Sequence, residues 1–91
     1  MKTIYKYKLN WYGLFNGITL DLWMPEDAEI LKVAFVDGEY MMWALVESSD
    51  IDKYRTFTVV GTDQPIGDDM QYLETLFEDG YVWHIMERIN Q

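Results

Sequence analysis

Two glycines, a proline and three aspartates fall within eleven residues, VVGTDQPIGDD, from Val59 to Asp69. Such a stretch is where a phosphate loop or a metal site would be sought. A phosphate cradle follows its glycines with a helix N-terminus and a Lys or Arg. Here Gly67 is followed by Asp68 and Asp69, which repel phosphate. A hard cation could use Asp63, Asp68 and Asp69, but their spacing matches no calcium loop. The glycines are better explained as a strand end at Gly61 and a turn at Gly67, with Pro65 holding Gln64 extended. The stretch is expected to be a connection.

The rest of the catalytic inventory is thin. A nucleophile needs a base within reach, most often histidine. The chain has no cysteine and one histidine, His84. Ser48 and Ser49 sit in a polar loop with no elbow motif around them. His84, within a strand-like run, reads as a hydrogen-bonded structural residue. No pair of carboxylates is marked by its spacing, and zinc bound by Cys and His is excluded by count. The expectation is a protein that is not an enzyme and carries no cofactor.

What remains is surface chemistry. Sixteen acidic and seven basic side chains give a net charge of −9. Lys2, Lys6 and Lys8 fall in the first eight residues, leaving a balance of −12 over the other 83. Such a field repels nucleic acid and anionic lipid and favours basic partners. Exposed Tyr and Trp beside carboxylates have the composition of a protein-binding hot spot. The expected partner-binding residues are Trp11, Tyr12, Trp23, Asp37, Glu39, Trp43, Asp63, Asp68, Asp69, Glu78 and Asp79. A competing use is a nucleotide stacked on aromatics and gathered by Lys6, Lys8, Arg55 and His84. The bland reading is that the charges keep a small protein soluble and most of the rings are core.

These side chains must be placed by one small domain, residues 1–91, without disulfides. Four Trp, four Phe, seven Tyr and six Met supply its packing. No stretch resembles a signal peptide or is long enough to span a membrane. A cytoplasmic protein is expected.

Two Asp-Gly pairs punctuate the chain, in ILKVAFV-DG-EYMMWALV and YLETLFE-DG-YVWHIME. Asp-Gly between apolar runs signals a type I′ hairpin. A two-residue turn at Asp37-Gly38 pairs Val36 with Glu39 and Phe35 with Tyr40, then Val33 with Met42 and Leu31 with Ala44. Leu31, Val33, Phe35, Tyr40, Met42, Ala44 and Val46 then share a core face. The opposite face carries Trp43 and is mixed and half-buried. The second turn pairs Phe77 with Val82, Leu76 with Trp83, and Thr75 with His84. This register sets Phe77, Leu73, Val82 and Met86 beside Thr75 and His84. Leu73, Leu76 and Phe77 also fit a helix capped by Asp68 or Asp69.

GITLDLW alternates as a half-buried strand, with a turn after Pro25. TIYKYKL, with lysines on one face, suits an edge strand. YRTFTVVGT is strand by its β-branched content. The fold expected is mainly β: six or seven short antiparallel strands, closed or folded over, with at most one short helix.

The start MKTIYKY, the WALV strand at Trp43–Val46, the RTF run leading to GTDQPI, and the closing GYVWHI resemble a family of small phage and prophage proteins. That family is catalogued as a domain of unknown function. The resemblance covers most of the chain and implies strand for residues 71 to 77. The segment from Trp11 to Gly17 is longer than the family pattern. The resemblance implies an accessory protein of the bacterial host cytoplasm and supplies no catalytic residues. With the charge, it leads us to expect a stoichiometric inhibitor of host defence that covers the basic channel of a nuclease or CRISPR effector. The alternatives are an oligomeric sponge for a nucleotide signal and a virion assembly factor.

Overall fold

Both Asp-Gly turns form as the residue types require. In the computed structural model, which describes residues 1–89, Asp37 and Gly38 have φ of 51° and 83°. Asp79 and Gly80 have 49° and 82°. Positive φ at both central positions gives a twist that matches the flanking strands. Around these turns the described residues form seven strands: β1 (Lys2–Leu9), β2 (Thr19–Pro25), β3 (Glu29–Val36), β4 (Glu39–Glu47), β5 (Asp52–Gly61), β6 (Met70–Glu78) and β7 (Tyr81–Arg88). Among the described residues there is no helix, so residues 71 to 77 are strand.

The strands form two antiparallel sheets, ordered β1-β4-β3 and β2-β5-β7-β6. β1 is an edge strand, with Lys2, Lys6 and Lys8 exposed. The sheets face each other over one buried cluster that includes Leu9, Met24, Val33, Met42, Phe57 and Ile85. Each such side chain contributes about 1.5–3 kcal/mol by leaving water. The sheets come together where β3 meets β6, and Lys32 and Glu74 bridge that corner at 3.1 Å.

Both predicted registers hold next to the turns. Val36 pairs Glu39, Phe35 pairs Tyr40 and Val33 pairs Met42. Phe77 pairs Val82, Leu76 pairs Trp83 and Thr75 pairs His84. Farther out, one β-bulge interrupts each hairpin. In β3 the register shifts between Ile30 and Lys32, so Ile30 rather than Leu31 faces Ala44. Leu31 is left 43% exposed and does not join the core. In β6 the shift between Tyr72 and Glu74 returns Leu73 to the core side, where Leu76 also packs. Phe77 therefore does not share a face with Leu73. It points outward and is 79% exposed. A bulge adds one residue to one strand and so reverses the alternation beyond it.

The stretch Val59–Asp69 serves topology. β5 and β6 both pair with β7, which lies between them, so residues 62–69 must cross β7. Alternation turns Thr58, Val60 and Met86 away from the core, yet they are only 6, 7 and 5% exposed. The crossover, which passes over this face, accounts for their cover. It is pinned by the contact of Thr62 Oγ1 with His84 Nε2 at 3.0 Å, and by the Ile89 amide donating to the Asp69 carbonyl at 2.8 Å. Turns at Gly61–Gln64 and Gly67–Met70 shape its two ends.

Candidate functional site

The two hairpin tips and the Trp11–Gly17 segment meet at one end of the sandwich. Tyr40, first in its strand to face inward, donates its phenol to Glu78 Oε2 at 2.6 Å and ties the β3–β4 hairpin to the β6–β7 hairpin. Burial, then the hydrogen bond to Glu78 and the charges of Glu78 and Asp79, push the phenol well above its ordinary value. It stays protonated and remains a donor throughout the physiological range.

Around this link is a cavity of about 320 Å³ lined by Trp11, Tyr12, Phe35, Tyr40, Glu39 and Glu78. A neighbouring hollow is lined by Leu14, Asp79, Tyr81 and Trp83. Tyr81 and Trp83 stack with centroids 5.9 Å apart. Tyr12 is fully exposed, and Phe35, Phe77 and Tyr81 are exposed at 47, 79 and 65%. Large rings left in water beside carboxylates are the surface signature of an interaction site.

Of the residues expected to contact a partner, Tyr12, Asp37, Glu39, Glu78 and Asp79 gather at this end. Asp63 lies close by, two residues beyond Gly61, which borders a hollow with Gly80 and Tyr81. Trp11 is different: at 6% exposure it belongs to the core and shows only a wall to the cavity. Among the described residues its buried indole Nε1 finds no acceptor. Trp23 lies toward the opposite end, on the outer side of β2, packed edge-on against Tyr54 at 4.6 Å. Trp43 sits half-buried in mid-sheet, with Lys6 and Lys32 as its cross-strand neighbours. Asp68 and Asp69 end the crossover at the far end, where Asp69 approaches Arg88 at 3.6 Å. Phe35, Tyr40, Phe77 and Tyr81 were not singled out for contact in the sequence. Their alternation pointed Phe35 and Tyr40 at the core, and only the end position of Phe35 exposes it.

The four residues expected to hold a nucleotide do not converge. Lys6 and Lys8 lie on the outer face of the β1-β4-β3 sheet, and Lys8 pairs with Glu39 at 3.0 Å. His84 faces outward from the other sheet, with Nδ1 3.1 Å from Thr75 Oγ1. Arg55 turns inward. Its Nε and Nη2 donate to the two oxygens of Glu87 at 2.5 and 2.7 Å, and Nη1 donates to the Ala28 carbonyl at 2.6 Å. Both side chains are nearly closed to solvent. A guanidinium so held is structural and is spent as a ligand group. This pair lines a far-end cavity of about 310 Å³ with Glu26, Lys53, Gln71 and Arg88. Among the described residues, no three His, Asp or Glu side chains stand close enough to hold a metal ion.

The hairpin end can thus present rings, carboxylates and a hollow to another molecule. Comparison with curated proteins gives no match, and comparison with solved structures gives none either. A family model does match, over residues 1–91, and the chain belongs to that family, described as Domain of unknown function (DUF7352).

Proposed function

We propose that this protein is a stoichiometric, protein-binding inhibitor whose hairpin end docks on the basic face of a host-defence nuclease or CRISPR effector. The observation that carries the reading is the grouping of Tyr12, Phe35, Phe77 and Tyr81, all exposed, with Asp37, Glu39, Glu78 and Asp79 around the two Asp-Gly tips. Rings provide buried contact area on docking, and carboxylates provide attraction and orientation. The net charge of −9 supports a basic partner and disfavours direct nucleic acid binding. The resemblance to small phage proteins supports a bacterial host cytoplasm as the setting. The inhibitor acts by occupancy: it covers a nucleic-acid channel and needs no chemistry of its own.

The test is capture from lysed bacterial cells at low salt, with identification of the retained protein by mass spectrometry. The expected result is one basic nucleic-acid-binding protein at near-equal stoichiometry, released progressively as salt is raised. It is also lost when Tyr12 and Tyr81 are both changed to Ser. Retention of the same partner by that double variant, or binding indifferent to salt, overturns the reading.

A further inference from the structure

The cavity between the Trp11–Gly17 segment and the hairpin tips has walls of an unusual kind. Trp11 meets Tyr40 edge-on with centroids 6.3 Å apart, and Phe35 lies tilted against Tyr40 at 4.7 Å. Tyr12 stands at the mouth. Glu39 and Glu78 supply carboxylates to the same hollow. Ring faces carry negative quadrupole charge, so rings and carboxylates around one void make a receptor for an organic cation.

Three details separate this cavity from a chance dent. Glu78 uses Oε2 for the Tyr40 phenol, while its Oε1 holds no hydrogen bond among the described residues. Trp11, part of the wall, has a buried Nε1 with no acceptor among the described residues. A buried donor without a partner is rare in folded proteins and calls for a cause. Finally, the chain's own Lys8 already reaches the rim and rests its ammonium on Glu39 at 3.0 Å.

We infer that this cavity receives the guanidinium of an arginine side chain from the partner protein. The inference rests on the proposed reading of the hairpin end as the binding surface. Guanidinium suits the site better than ammonium, because its plane stacks on rings while its edge meets a carboxylate. The arginine's ring-stacked plane lies among Tyr12, Phe35 and Tyr40, and its edge faces Glu78 Oε1. Lys8, held at the rim by Glu39, is a resident cation that opposes the arriving arginine.

The experiment is a titration of the isotope-labelled protein with N-acetyl-arginine amide, followed by the amide signal of Gly38 and the indole signal of Trp11. The neutral isostere N-acetyl-citrulline amide is the control. Saturable shifts at those two signals are expected with arginine, with citrulline at least tenfold weaker. Glu78→Gln should weaken the response about fivefold, and Lys8→Gln should strengthen it about twofold to fivefold. If Glu78→Gln fails to fold, Tyr12→Ser takes its place, since that ring is fully exposed. Equal responses to arginine and citrulline, or a weaker response in Lys8→Gln, overturn the inference. A partner captured from lysate by a protein whose cavity ignores arginine would sink the inference and leave the binding function standing. An arginine response with no partner captured would sink the proposed function and, with it, a partner protein as the source of the arginine.

Discussion

The two ends of this sandwich hold cavities of nearly equal size, about 320 and 310 Å³, with opposite chemistry. At the far end the buried charges are spent on each other. Arg55 and Glu87 lock each other through two hydrogen bonds, Arg55 also holds the Ala28 carbonyl, and Arg88 meets Asp69. At the hairpin end polar groups are left over: among the described residues, Glu78 Oε1 has no donor and Trp11 Nε1 has no acceptor. Volume does not distinguish the two; the state of the polar groups does. A cavity whose buried charges are paired is part of the scaffold, and one that keeps a carboxylate oxygen unpaired is available to a partner.

That contrast is most exposed to test at the far end. Glu87→Ala leaves a nearly buried guanidinium without its carboxylate and should destabilise the fold by about 3–5 kcal/mol. Arg55→Met with Glu87→Leu should recover most of that loss. Urea unfolding of the three proteins decides it, and a loss below about 1 kcal/mol in Glu87→Ala would mean that the far end is not the scaffold. The next largest effect is at Tyr40. Tyr40→Phe removes a hydrogen bond to a carboxylate and should cost about 1.5–3 kcal/mol at neutral pH. Because the folded phenol titrates above its ordinary value of 10.0, its contribution is complete below pH 10. It is lost as pH rises through the folded value. Wild-type stability should therefore fall more steeply above pH 10 than that of Tyr40→Phe, as read by unfolding across an alkaline series.

Smaller effects concern the tips. Gly38 and Gly80 have φ of 83° and 82°, and Ala at either should cost about 1 kcal/mol by thermal unfolding. Smallest of all, Tyr12→Ser and Tyr81→Ser should alter stability by less than about 0.5 kcal/mol. The same pair should abolish partner capture, which separates binding surface from scaffold within one set of variants.

How far the sequence disclosed this arrangement differs between its parts. The Asp-Gly tips and the pairings beside them were legible because type I′ turns leave few residue choices and fix the register at once. The bulges at Leu31 and Leu73 were not. Ile30 and Leu31 are both apolar, and Tyr72 and Leu73 are both large and apolar, so either residue of each pair could face the core and nothing local marks the shift. The departure of Leu73 from the face it was expected to share with Phe77, Thr75 and His84 followed from the second bulge. The crossover between β5 and β6 was recognised as a connection from Gly61, Pro65 and Gly67, but the chain crossed depends on strand order, which no local pattern carries. In the candidate site, the acids at the tips were visible through their turns. Trp11 was misplaced because an aromatic in an irregular segment bears no periodicity to tell wall from surface. Arg55 and Glu87 are 32 residues apart, so only tertiary structure could show that each is spent on the other.

The most direct test of the account is hydrogen–deuterium exchange of the protein alone and saturated with its captured partner. The account predicts that the partner slows exchange around residues 11–14, 35–40 and 77–82, and leaves residues 50–55 and 68–72 unchanged. Protection confined to the far end, or spread evenly over both ends, would contradict the assignment of the hairpin end as the binding surface.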